Sequence, residues 1–299
     1  MDPNLSSNAV MILAAISAFS RAGLNIVDRH QIGNKKLSII DVNFWNSVIP
    51  AFILVILVSG LGLHLELLKT ISSWRTAVFS GMVQLVAYAF SHAFRSLSVN
   101  QVTVAGKFSD LFIPIGVWGT TGYWNWETYN FSIATTLVCL PILWSGPHKR
   151  NTIDIKIAAI FIGIALVLQA SFAPVLAETS NANLSWHQAL LFTTGVIIWR
   201  SAWCLVPTLR RTKFVQIPFD TLLTTRPFIL RSLLTVITQT TFILAIISSA
   251  SALAWPILNS TGFFAMLLSS LILKEKHNWI EHLVILSICV LAIVKFFLI

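Results

Sequence analysis

The sequence predicts an all-α membrane protein whose ten transmembrane helices form two inverted five-helix repeats. Composition, the spacing of apolar runs and the placement of charge all lead there. Hydrophobic residues fill 56% of the 299 positions and charged residues only 10%, against about 25% charged in a soluble domain. Water is therefore not the solvent for most of the surface. A spanning helix needs about 20 mainly apolar residues, so the length accommodates about ten spans with short connections, and leaves no room for a separate soluble domain.

Apolar runs between polar breaks place the helices at about residues 7–28, 41–60, 75–95, 98–119, 126–146, 153–177, 186–207, 227–248, 250–272 and 279–299. The runs are apolar all round, whereas barrel strands alternate over about ten residues. Helix 1 follows Met1–Ser7, which holds no Lys or Arg; a secretory signal needs a positive start, so a retained helix is expected. On it Ser17, Arg21 and Asn25 recur at four-residue steps, the spacing of one helical face.

Helix 3 presents Gln84, Tyr88 and His92 in the same way, with Arg95 at its end. Gln84 and Tyr88 read as hydrogen-bond donors to a solute. His92 reads as a hydrogen-bonded packing residue or, because imidazole titrates near neutral pH, as a proton-coupling group. Helix 4 carries Thr103, Lys107, Asp110 and Pro114 on one face. The three-residue spacing lets Lys107 and Asp110 pair. Either they lock two helices together, or they part to take the opposite ends of a zwitterionic or anionic solute. The second reading is favoured, since charges at mid-membrane are costly structural glue.

Helix 7 offers Trp199, Arg200 and Trp203. Arg200 is too deep for easy snorkelling and is expected to pair with Asp110 or bind an anion. Helix 8 holds Arg231, Thr235, Thr238 and Gln239, with Arg231 read as a first-turn residue snorkelling to the interface. Helix 9 contributes Trp255, Pro256, Asn259 and Ser260. Pro114 and Pro256 each release a carbonyl and permit a bend. Together Arg21, Lys107 and Arg200 outnumber the central acids, which hints at a carboxylate or phosphate on the solute.

Shifting residues 1–150 by 153 positions onto 151–299 lays Ser98 on Ser251, Asn125 on Asn278 and Trp126 on Trp279. Five spans per repeat force opposite orientations, an arrangement common in secondary transporters. The formal net charge of +9 reads as topology, not nucleic-acid binding, because Lys and Arg cluster in short loops. Breaks such as Gly33-Asn34-Lys35-Lys36, Pro147-His148-Lys149-Arg150 and Arg210-Arg211-Thr212-Lys213 follow odd-numbered helices; even-numbered ones are followed only by Lys69 and Arg75. The positive-inside rule then puts both termini outside.

The stretch Ala252-Leu253-Ala254-Trp255-Pro256, the run to Leu271-Ile272-Leu273-Lys274-Glu275 and then Trp279 resemble the closing segment of EamA-type members of the drug/metabolite transporter superfamily. Pro114 and Trp126-Glu127 echo it in the first half. The resemblance implies a ten-helix, two-repeat carrier working by alternating access, often an exporter of amino acids or other metabolites. Family members are usually drawn with both termini in the cytoplasm, opposite to the loop charges here.

The resulting expectation is a multi-pass protein of the inner (plasma) membrane, not an enzyme, that moves a small polar solute with proton or exchange coupling. A flippase for a lipid-linked sugar or phosphate, and a non-transporting sensor or assembly factor, are the alternatives. No cofactor or metal is expected: the chain lacks a Walker-type loop, an HExxH pattern and a Cys/His cluster. Cys139, Cys204 and Cys289 fall in apolar runs and read as small buried residues.

Overall fold

Backbone surrounded by apolar side chains or lipid must satisfy its own N–H and C=O groups, which a helix does within one segment. The computed structural model describes residues 7–122, 124, 126–144, 149–176, 186–210, 222–247, 257–258, 260–276 and 278–298. Among these residues every regular element is helical. The first half comprises α1 (Ser7–Asp28), α2 (Ile39–Gly60), α3 (His64–Ser72), α4 (Trp74–Phe94), α5 (Val99–Lys107), α6 (Ile113–Thr121) and α7 (Trp126–Trp144). The second comprises α8 (Lys149–Leu176), α9 (Trp186–Leu209), α10 (Leu222–Ile247), α11 (Thr261–Leu268) and α12 (Trp279–Leu298).

Among the described residues, six helices are long and apolar enough to cross a membrane: Asn8–Asn34, Ile39–Gly60, Trp74–Phe94, Ile153–Ala173, Trp186–Leu209 and Thr225–Ala245. Each exceeds the roughly 20 residues that a hydrocarbon core about 30 Å thick requires. The apolar stretches at the other four expected positions are shorter, broken or partly outside the described residues. The run expected as one helix over 98–119 is two nine-residue helices, α5 and α6, around a 3-10 turn at Phe108–Leu111. Pro114 lies in the first turn of α6, where its missing N–H removes no intrahelical bond. Ser98 starts α5 with a reciprocal cap, its hydroxyl accepting from the Gln101 N–H while the Gln101 side chain accepts from the Ser98 N–H. Of the run expected over 250–272, residues 250–256 and 259 lie outside the described set.

Two helices end alike. α1 continues as a π turn, Arg29–Asn34, and α11 as another, Ser269–Leu273. The Leu37 N–H donates to the Gln31 carbonyl at 3.0 Å, and the Glu275 N–H to the Ser269 carbonyl at 3.3 Å. Lys36 (φ 55°) and Lys274 (φ 53°) take the left-handed turn that closes each end. These two ends meet: Arg29 Nε donates to Glu275 Oε1 at 2.8 Å and Arg29 Nη1 to the Phe94 carbonyl at 2.6 Å. The Val99 N–H donates to Glu275 Oε2 at 3.2 Å. One end of the bundle therefore gathers the exits of α1 and α4 with the entry of α5, and carries Arg29, Lys35, Lys36, Arg95, Lys274 and Lys276. At the other end, Trp118, Trp124, Trp126 and Tyr129 pack edge-on or tilted against one another.

Polarity is distributed from the outside in. Ile12, Phe52, Leu85, Phe161 and Leu286 are exposed, while Ser17, Asn43, Asn46, Ser80, Gln84, Arg200 and Arg231 are buried. A soluble protein hides its large apolar side chains; this one shows them and hides its polar ones, as a lipid-facing bundle must. With six helices of spanning length, the chain is a helical membrane protein.

Close helix approach rests on small residues. A Cβ on Gly195 of α9 would come to 3.1 Å from the Cγ2 atoms of both Thr70 and Thr76. A Cβ on Gly116 of α6 would collide with the Ser171 side chain of α8. Gly195→Val is expected to cost about 1–3 kcal/mol, the usual range for overpacking, read as a lower unfolding midpoint of the purified protein. An unchanged midpoint would mean that α3 and α4 yield freely.

Candidate functional site

The site begins with the face of α1 that turns away from lipid. Ile12 and Ile16 are exposed on the outer face. Arg21 follows Ile12 by about two and a half turns, which puts it on the opposite face, with Ser17 and Asp28. Arg21 is exposed on this face, which packs against α10, so accessible space adjoins α1 there. Its guanidinium sits 5.2 Å from the centre of the Phe242 ring on α10, a cation–π contact. Among the described residues it has no carboxylate or hydrogen-bond partner. The neighbouring Ser17 hydroxyl donates to the Thr238 carbonyl at 3.2 Å, seaming α1 to α10.

Towards the basic end, Arg231 of α10 meets Asp28 in a fork. Nε donates to Oδ1 at 3.0 Å, Nη2 to Oδ2 at 3.1 Å, and Nη1 to Thr235 Oγ1 at 2.6 Å. Asn46 Nδ2 of α2 reaches Asp28 Oδ1 and Gln31 Oε1, each at 3.2 Å. A second chain of polar groups runs alongside. Arg200 Nε of α9 donates to Gln84 Oε1 at 3.1 Å, and Gln84 Nε2 of α4 donates to Asn43 Oδ1 at 3.3 Å. Asn43 Nδ2 then donates to the Ser91 hydroxyl at 2.9 Å. The Tyr88 hydroxyl and the Ser47 hydroxyl face the Cys204 sulfur at 4.0 and 3.8 Å. Arg200 and Arg231 lie within electrostatic reach of each other, so the two chains form one polar centre between α1, α2, α4, α9 and α10.

Arg200 is 5% exposed, and Gln84 is its one partner among the described residues. Its four Nη hydrogens thus have no protein acceptor there. The rest of α9 is braced against its neighbours: the Trp199 indole donates to the Ile71 carbonyl, the Trp203 indole to the Ala77 carbonyl, and the Ser80 hydroxyl to the Val196 carbonyl. Arg200 is therefore held by a fixed helix.

Of the residues singled out from the sequence, Gln84, Tyr88 and Arg200 come together, and Arg21 lies instead against Phe242 at the α1–α10 seam. Lys107 and Asp110 pair at 3.3 Å at the break between α5 and α6, within electrostatic reach of Cys139 on α7, and Lys107 also of Cys289 on α12. Asp110 is thus engaged by Lys107, and the expected Arg200 contact is replaced by Gln84. His92 is exposed in the last turn of α4, outside this centre. Gln239 is half-buried on α10, off the line of Arg231, Thr235 and Thr238. Trp255 and Asn259 lie outside the described residues.

Arg231 corrects an expectation. It is 8% exposed and bound to Asp28, not snorkelling, because α10 begins at Leu222 and places it about two and a half turns deep. Asp28, Asn43, Asn46 and Ser91 escaped the sequence reading. The available signals were the seven-residue interval from Arg21 to Asp28 and the three-residue interval from Asn43 to Asn46, each returning to one face. Among the described residues no three His, Cys, Asp or Glu side chains gather as metal ligands.

This is the centre of a helical membrane protein with a polar, arginine-lined interior. No family model matches the chain, and no curated protein matches it. A solved structure described only as "Crystal structure of protein" does: it shares 10% identity, with a TM-score of 0.66 over 97% of this chain and 98% of its own. At that identity the likeness shows a shared fold over essentially the whole length and nothing of activity.

Proposed function

We propose that the protein is a secondary active transporter, working as an exporter, for a small zwitterionic or anionic metabolite in the inner (plasma) membrane. Its architecture in this reading is ten transmembrane helices in two inverted repeats, residues 1–150 and 151–299, of the EamA type, rocking around a midplane site. The observation that carries the reading is Arg21. A charge at mid-membrane costs about 2.5–3.5 kcal/mol on insertion scales, and this one is accessible, inward-facing and without an acid among the described residues. A solute recovers that cost, whereas a purely structural residue would be paired. The repeat is supported by Trp126 and Trp279, which the 153-residue shift superposes and which open α7 and α12.

Reconstituted protein should show saturable uptake of labelled solute by counterflow, and Arg21→Gln should lower it at least about tenfold, the loss of one charged contact. The protein must stay folded, as judged by its elution profile. Wild-type flux in Arg21→Gln would remove the carrying observation. Because Lys107 and Asp110 lie apart from the arginine centre, Asp110→Asn is expected to lower stability more than flux. A flux loss with an unchanged unfolding midpoint would return that pair to the transport path.

A further inference from the structure

We infer that Arg200 is the docking point for one oxyanion group, a carboxylate or a phosphate, held end-on across its two Nη nitrogens beside Tyr88 and Cys204. The inference rests on the transporter reading for what carries that group, and names the part of the solute that the polar centre grips.

A buried charge needs an opposite charge. Arg200 is 5% exposed, and its electrostatic neighbours among the described residues are Arg231, Asp28, Cys204 and Tyr88. Asp28 is the one acid of this set, and Arg231 already forks onto both its oxygens. One carboxylate facing two guanidiniums leaves a single positive charge over. It falls on Arg200, whose one hydrogen-bond partner among the described residues is the neutral Gln84.

That contact also decides which edge of the guanidinium is free. Nε donates to Gln84 Oε1 at 3.1 Å, which turns the Nε edge towards α4. The Nη1–Nη2 edge is left over. Polar side-chain atoms that are sealed from solvent without a partner include Gln31 Nε2, Asn46 Oδ1 and Thr238 Oγ1, but neither Nη of Arg200. The free edge therefore borders open space. Its two parallel N–H groups match the paired oxygens of a carboxylate or phosphate, and fit a spherical halide less well. The Tyr88 hydroxyl makes only a long contact to Cys204 Sγ, at 4.0 Å, so its proton is available to the bound group.

The test is thermal unfolding of the detergent-solubilised full chain at constant ionic strength, with acetate, inorganic phosphate or dihexanoylphosphatidate exchanged for chloride. A ligand that binds the folded state raises the midpoint by mass action. At least one of the three oxyanions should bind about tenfold more tightly than chloride. Acetate or phosphate would assign the group to a free solute, and phosphatidate alone to a lipid headgroup. Arg200→Lys keeps the charge but loses the fork, so the preference over chloride should shrink to about threefold, and Arg200→Gln should abolish it. Arg75→Gln, at the start of α4, should change nothing. Should both variants at position 200 fail to fold, the neighbouring thiol decides. In a Cys139→Ser/Cys289→Ser background, the preferred oxyanion at saturation should slow alkylation of Cys204 by uncharged iodoacetamide about tenfold. No preference for any oxyanion over chloride, a preference that Arg200→Lys leaves whole, or an alkylation rate that the oxyanion does not move overturns the inference. Oxyanion binding without flux in vesicles would sink the carrier reading and leave the docking point standing; saturable flux of a solute that has no acidic group would do the opposite.

Discussion

Asp28→Asn is expected to be the most damaging single substitution in the chain, lowering stability by about 3–5 kcal/mol, the range for breaking a buried ion pair. The fork to Arg231 leaves 10% of the arginine side chain and 14% of the aspartate accessible. Removing the carboxylate charge strands a guanidinium that is already within reach of a second one, Arg200. Asn46 also loses its charged acceptor. The double variant Asp28→Asn/Arg231→Gln should recover most of the loss, because it removes the stranded charge together with its partner. Unfolding midpoints and the yield of monodisperse protein measure both. A single variant within about 0.5 kcal/mol of wild type would show that water already solvates Arg231.

The second large effect is expected at the basic end, where Arg29 and Glu275 tie α1 to the stretch after α11. Side-chain exposures of 17% and 13% make this pair largely desolvated. Glu275 holds the Val99 N–H as well, and Arg29 holds the Phe94 carbonyl, so one carboxylate links four segments. Glu275→Gln weakens the bonds that the carboxylate accepts from Arg29 and from the Val99 N–H. In the transporter reading it biases the protein towards states open at the basic end. The native thiol of Cys204, buried beside Tyr88 and Ser47, reports such opening. In a Cys139→Ser/Cys289→Ser background, Glu275→Gln should raise the alkylation rate of Cys204 from the basic side about tenfold, a shift of about 1.4 kcal/mol in the opening equilibrium. An unchanged rate would assign closure of that end to other contacts.

Helix positions were legible because an apolar run beside a polar break needs little tertiary context. The expected starts at Ser7, Trp126, Trp186 and Trp279 are the observed ones. The site was legible only in part, and the reason is angular drift. Four-residue steps overshoot a 3.6-residue turn, so from Gln84 two of them carry His92 off the face, whereas the seven-residue step returns to Ser91 with little drift. Ser91 is the one that bonds Asn43. Asp28 was hidden by its neighbours: as the last residue of the expected first helix, followed by Arg29 and a polar break, it read as a helix end, but the π turn Arg29–Asn34 carries the helix on beyond it. The break in the 98–119 run was half visible. Pro114 announced a bend, yet the 3-10 turn ahead of it also depends on the Ser109 hydroxyl bonding the Gly106 carbonyl at 2.6 Å, which spacing does not encode.

The indole cluster at the non-basic end has a mechanical consequence. Trp118 and Trp126 are exposed at 52% and 66%, and Trp74 and Trp186 open α4 and α9 at 66% and 43%. Indoles settle at the headgroup level, so these four moor one rim of the bundle at a fixed depth, while Trp279, 67% exposed at the start of α12, moors the other. A bundle pinned at both rims has little freedom to slide along the membrane normal. It meets a thicker or thinner bilayer by tilting or by deforming the lipid around it, and the short, bent α5–α6 segment is where such a mismatch is felt first.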